Sequence, residues 1–243
     1  MTESLSRTST GQIRAELLSL VKSVRGQVQN AEDLYVEVDC KKPVIRKGLH
    51  AKASGHHRAS IQELCREVAA CRHCALAQTR KNVVFGDGDP KAKIVFVGEA
   101  PGADEDDQGL PFVGRAGQLL TNIIKAMGLD RKDVYICNIL KCRPPGNRNP
   151  LPDEIRLCEP FLKEQLRIIS PQIICALGSF AAKTLLKTET PITALRGRFH
   201  FYEGIKLMPT YHPAYLLRNP PAKKQVWEDV QLIMKEIGLS KSS

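Results

Sequence analysis

The residues that could do chemistry fall into two constellations, and the first is made of cysteines. Cys71 and Cys74 form a C-x2-C pair, and Cys142 and Cys158 form a wider one sixteen residues apart. Thiolates at such spacing chelate metal. Zinc takes four cysteine thiolates in a tetrahedron, and a 4Fe–4S cluster also takes four. Zinc ribbons repeat the short spacing twice, so the wide second pair favours the cluster, with zinc as the alternative. His73 is a further candidate ligand but reads more simply as an exposed loop residue. Cys40, Cys65, Cys137 and Cys175 read as spectators, the last two because they sit in apolar runs. Free buried thiols are the plain alternative for all eight cysteines.

The second constellation is Glu99, Asn138 and His212, each at the end of a short apolar run. The runs KIVFVG (93–98), VYICNI (134–139), QIICAL (172–177) and IKLMPT (205–210) have the length and apolar continuity of strands covered on both faces. Between them, helical spacing appears in RAGQLLTNIIKAMG and SFAAKTLL, and again in KKQVWEDVQLIMKEIG after the last strand; IQELCREVAACRHC precedes the first. Gly128 is placed to stop the first of these helices. Strands separated by helices imply an α/β protein of three layers, α/β/α, around a central four-stranded parallel sheet. In such a sheet ligands sit beyond the carboxyl ends of the strands, and that is where Glu99, Asn138 and His212 fall. A run of four acids, Asp104 to Asp107, follows Glu99 and gives way to the apolar Pro111-Phe112-Val113.

Charge narrows the partners. The 243-residue chain carries 36 basic and 26 acidic residues, a formal net charge of +10, which favours a polyanion and nucleic acid first. The excess is spread out: residues 1–58 hold ten basic and six acidic side chains, leaving 26 and 20 for the rest. No apolar run approaches the roughly eighteen residues of a membrane span, and the N-terminus lacks a secretory profile. A cytoplasmic protein without membrane contact is expected. Residues 1–58 read as an N-terminal extension, an amphipathic helix over 12–25 followed by a flexible linker, and residues 59–243 as the domain that bears the site.

Taken in order, GEAPGADEDDQGLPFVGRAGQLL, NILKCRPPGNRNP, LRGRF and HPAYLLRNP, with the cysteines interleaved, resemble the family 4 uracil-DNA glycosylases of the iron–sulfur type. The resemblance covers about residues 60 to 240 and leaves the extension out. It implies the parallel-sheet α/β/α fold and a 4Fe–4S cluster on Cys71, Cys74, Cys142 and Cys158. It also implies hydrolysis of the N-glycosidic bond of deoxyuridine in single- or double-stranded DNA, which releases uracil and leaves an abasic site for base excision repair. The basic KRRIH segment of a subgroup that bonds covalently to the abasic sugar does not occur in the chain, so ordinary turnover is expected, by a monomer.

The residues suit that task. A base must leave the helix to be reached, and a flipped uracil needs a stacking face and polar groups matched to its edge. Gly98, Glu99, Ala100, Phe112, Asn138 and His212 are the expected uracil pocket. Phe112 is the stacking platform, and the Asn138 amide pairs with uracil O4 and N3–H. His212 donates to O2 as negative charge gathers there. By comparison with the GQDPY element of the family 1 enzymes, the water-activating Asp of that family corresponds to Ala100, which carries no base. Glu99 is therefore the expected catalytic carboxylate, with Glu105 as a second candidate for positioning water. Leu216 resembles the wedge that enters the vacated stack. Arg115, Lys141, Arg143, Arg148, Arg196, Arg198 and Arg218 are candidate phosphate contacts. Two rival readings remain: a non-catalytic iron–sulfur DNA-binding module, and a nucleotide hydrolase with GEAPG at a helix N-terminus. The extension is a candidate tether for a repair or replication partner.

Overall fold

A computed structural model describes residues 60–239; the extension expected over residues 1–58, with its helix, lies outside the described residues. Helix α1 (Ile61–Ala69) starts at Ser60, whose hydroxyl accepts from the Glu63 N–H at 3.2 Å. Its Ile61, Leu64, Cys65 and Val68 are buried. A short turn of helix, α2 (Leu76–Thr79), follows the Cys71–Cys74 pair.

The four expected strands are all present, as β2 (Ile94–Gly98), β3 (Tyr135–Asn138), β4 (Ile173–Leu177) and β6 (Ile205–Thr210), and they run parallel. The sheet is nevertheless six-stranded, in the order β1-β3-β2-β4-β6-β5. Antiparallel edge strands β1 (Asp87–Gly88) and β5 (His200–Tyr202) were not expected from the sequence. They are two and three residues long, too short to establish an apolar period.

Every residue of β2, β3 and β4 is buried, so both faces of the sheet are covered. Ile94, Phe96, Ile136, Ile173, Cys175 and Met208 form one continuous core with Leu120 and Ile124 of α4 (Arg115–Ala126) and with Leu216 of α8 (Pro213–Arg218). Val226, Val230, Ile233 and Met234 of α9 (Lys223–Glu236) complete it. Gly128 ends α4 at φ +80°, in the left-handed region. The opposite face meets α5 (Pro152–Ile169), whose Gln165 reaches the Tyr135 hydroxyl. This eighteen-residue helix is absent from the sequence reading, because Pro160 and the Pro-rich loop before it mask its period. Helix α6 (Ser179–Leu186) packs on β4, and α7 (Ile192–Leu195) precedes β5. Helix α3 (Ala103–Gln108) occupies the acidic run. Among the described residues no helix is long and apolar enough to cross a membrane.

The topology opens a crevice in a defined place. Strand β2 has β3 on one side and β4 on the other, which makes its carboxyl end a topological switch point. Backbone pairing continues past the strand ends: the N–H groups of Ile139 and Leu140 donate to Gly98 O and Glu99 O, each at 3.0 Å. The segments that carry Glu99 and Asn138 leave the sheet bonded together.

Candidate active site

Gly98 and Asn138 are direct neighbours in the parallel register of β2 and β3. A Cβ placed on Gly98 would stand 2.3 Å from Asn138 Oδ1 and 2.6 Å from Phe112 Cζ. Only a glycine leaves room for the amide and the ring to approach each other over the end of β2. Asn138 is 2% exposed, yet its side-chain amide has no protein partner among the described residues, and no buried polar side-chain atom is left sealed off unpaired. The amide therefore faces the crevice, free for a ligand.

Phe112 is buried and has φ +52°, a conformation that a bulky residue adopts only when its surroundings impose it. Two side chains impose it. The Arg131 guanidinium donates to Pro111 O at 2.8 Å and to Phe112 O at 3.1 Å. The Glu105 carboxylate accepts from the N–H groups of Val113 and Gly114, at 3.0 and 3.1 Å, and from Gly102 N–H at 3.1 Å. Gly117 lets the turn lie against α4, because a Cβ there would fall 1.8 Å from Phe112 O. Glu105 thus spends three of its acceptor positions on backbone and holds the aromatic turn. Arg131 gives no sign of this task in the sequence, whereas Glu105, three residues after Gly102 at a helix start, stands at a capping position. Asp106 does similar work, accepting from the N–H groups of Lys81 and Asn82 at 3.0 and 3.3 Å. The acidic run is a helix start whose inner carboxylates organise loops.

His212 reaches the same place from β6. It caps α8 with Nδ1 accepting from the Ala214 N–H at 3.1 Å, and its ring centroid lies 5.7 Å from that of Phe112. Burial lowers its pKa to about 4, helped by the nearby Arg218 charge and opposed by Glu105. The ring is therefore neutral at physiological pH. With Nδ1 occupied as an acceptor, the proton sits on Nε2, which is left as a donor.

Glu99 follows Gly98 directly, and burial raises its pKa above the ordinary carboxylate value. Its carboxyl group has no protein partner among the described residues. Ala100 is half-buried beside it and brings only a methyl group.

Two expectations need correction. Leu216 is 1% exposed and belongs to the core beneath α8, so it is not available as a wedge. Four residues after the cap, it lies on the inward side of the helix, while Tyr215 and Leu217 beside it are exposed. Among the candidate phosphate contacts, Lys141 is buried, Arg148 pairs through both terminal nitrogens with Glu154, and Arg196 is clamped on Asp229. Lys141 and Arg196 act within the fold, while Arg148 stays exposed in its ion pair. Arg115, Arg198 and Arg218 remain exposed, while the half-buried Arg143 donates to Asn147 Oδ1 at 2.7 Å.

A separate pocket lies between α1 and α5. Cys71, Cys74, Cys142 and Cys158 all line it, with Arg80 and Lys141. Among the described residues no three Cys, His, Asp or Glu side chains converge closely enough to hold a single ion. All four cysteines line one pocket, a donor set of the kind that a zinc ion or a 4Fe–4S cluster takes. Burial raises the pKa of Cys142 and pushes Cys158 up to about 11, so uncompensated thiolates are unfavourable there and a bound cation would favour them. His73 stacks on Phe161 at 5.8 Å beside the pocket. Cys137 and Cys175 are buried in β3 and β4.

Comparison with known proteins identifies the family. The family model of the uracil DNA glycosylase superfamily matches residues 85–231. A type-4 uracil-DNA glycosylase of Sulfurisphaera tokodaii is 46% identical over 183 residues, 72% of this chain and 83% of its own length. Those of Archaeoglobus fulgidus and Thermotoga maritima are 45% and 46% identical, each over 72% of this chain and 92% and 93% of their own lengths. With identity of that level over 72% of the chain, the chain belongs to the uracil DNA glycosylase superfamily, in its type-4 family.

Proposed function

We propose that the chain is a uracil-DNA glycosylase of base excision repair, which hydrolyses the N-glycosidic bond of deoxyuridine in DNA and leaves an abasic site. The observation that carries this reading is the convergence of the Phe112 ring, the unpartnered Asn138 amide and the neutral His212 over the end of β2. A uracil swung out of the stack lies against Phe112, with its O4 and N3–H against the Asn138 amide. Cytosine offers the opposite pattern on that edge and leaves buried groups unpaired. As the bond to the sugar breaks, negative charge builds on uracil O2, and the Nε2–H of His212 stabilises it as a preorganised neutral donor. No proton transfer from the ring is needed, because the departing base is stabilised as an anion. Glu99 orients the water that captures the sugar. Arg115, Arg198 and Arg218 meet the phosphates.

Cys71, Cys74, Cys142 and Cys158 would hold a 4Fe–4S cluster. When bound, the cluster serves as a structural cross-link between the end of α1, the loop after β3 and α5, since glycosidic hydrolysis transfers no electrons. Four cysteines lining one pocket support a four-thiolate centre, and the wide Cys142–Cys158 spacing favours the cluster over zinc.

The test is release of free uracil from a single-stranded uracil-containing oligonucleotide, alongside metal analysis of anaerobically purified protein. Uracil release that is lost in His212→Ala with DNA binding retained, and iron near four per chain, about the complement of one cluster, are expected. Binding without release would reduce the protein to a DNA-binding module, and equimolar zinc without iron would remove the cluster.

A further inference from the structure

Lys141 is 1% exposed, but its ammonium meets only neutral partners. It donates to Asn138 O at 2.7 Å and to Gln165 Oε1 at 2.5 Å, and among the described residues it forms no ion pair. A buried cation without counter-charge is costly. Arg80 repeats the pattern at the other wall of the cysteine pocket. Its guanidinium donates to Cys71 O at 2.8 Å and to Cys142 Sγ at 3.1 Å, again with no carboxylate partner among the described residues. Both residues are among those that line the pocket with the four cysteines. Four thiolates bring four negative charges, of which a 4Fe–4S core or a zinc ion cancels about two. Lys141 and Arg80 match what is left.

Lys141 also faces the other way. The carbonyl it holds belongs to Asn138, whose side chain stands in the uracil pocket. Its second partner, Gln165, lies on α5 two turns beyond Cys158 and is anchored to Phe85 O at 2.9 Å and the Tyr135 hydroxyl at 3.2 Å. One buried ammonium thus ties the helix of one cysteine, the residue preceding another, and the backbone of the base-reading amide.

We propose that Lys141 is a positioning residue that couples the cysteine pocket to uracil recognition, balancing the charge of the thiolate centre while it holds the Asn138 backbone in register. The inference rests on the reading that a four-thiolate centre fills the pocket and that Asn138 reads the base.

Two variants separate its parts. Lys141→Met removes the charge and both hydrogen bonds while filling the space. Metal release to a chelator should quicken by about tenfold or more, and the ratio of uracil to cytosine excision should fall by about tenfold. Gln165→Glu leaves Lys141 in place but gives its ammonium a carboxylate, so metal release should again quicken and the midpoint potential should move to a more negative value. Unchanged metal release in both variants overturns the charge balance, and an unchanged excision ratio in Lys141→Met overturns the coupling. Should Lys141→Met not fold, Lys141→Arg keeps the charge but alters the reach to Asn138 O; a lowered ratio supports the coupling, and a wild-type ratio with normal metal content overturns it. A wild-type protein that holds neither iron nor zinc removes the cofactor reading instead, and the excision ratio of the Lys141 variants still decides the tether.

Discussion

His212 is useful because it is not charged. Burial beside Arg218 holds its pKa at about 4, so a fall from pH 8 to pH 5 leaves the ring neutral and its Nε2–H in place. The acid limb of kcat/KM should therefore come from Glu99. Its pKa lies above the ordinary carboxylate value because the group is desolvated, and the anion is the form that orients water. Activity should fall as pH drops through that raised value, and Glu99→Gln should lower the plateau and flatten the limb. A limb unchanged in Glu99→Gln, measured as kcat/KM against pH, would take Glu99 out of the reaction. Asn138 works through the pairing pattern of its amide. Asn138→Asp keeps an acceptor for N3–H but loses the donor for O4, so the uracil-to-cytosine excision ratio should fall by about a hundredfold. An unaltered ratio would mean that selectivity is set elsewhere.

The turn that carries Phe112 shows how neighbouring elements make a site. It is built between α3 and α4, and its strained φ of +52° is held by Glu105 on one side and Arg131 on the other. Glu105→Ala would free three backbone N–H groups, for a loss of about 1–3 kcal/mol of stability. The released ring should raise KM for uracil-containing DNA more than it lowers kcat, because stacking acts on the bound base before the bond breaks. Thermal unfolding with steady-state excision checks both, and an equal fall in kcat would return Glu105 to the water-positioning role. Gly117→Ala is the harsher change. A methyl group 1.8 Å from Phe112 O must push the turn off α4, with a cost of about 3 kcal/mol or more, visible as a lowered Tm with loss of uracil release.

Across the molecule as a whole, the charge of +10 is partly consumed inside the fold. Arg196 is only 13% exposed and bound to Asp229, and Lys141 is buried. The DNA-facing share should rest on exposed residues such as Arg115, Arg198 and Arg218. Replacing these three by alanine should weaken DNA binding and reduce the slope of log K against log salt by about two to three; a slope left unchanged would place the phosphate contacts elsewhere. The same division explains what could be read early. Apolar runs of five or six residues and helices of regular spacing mark the four parallel strands and the order of the layers, because burial on both faces leaves a continuous apolar signature. Glu99, Asn138 and His212 were visible because strand ends in such a sheet point to one rim. The burial of Leu216 is not legible in the sequence, because chain position does not say which side of a short helix faces the core. The bond from Arg131 to Pro111 O and the bond from Lys141 to Gln165 leave no sign in the sequence for a related reason. A hydrogen bond across twenty or more residues leaves no local pattern, and whether a charge meets solvent, a carboxylate or a thiol pocket is settled only when distant segments are packed against one another.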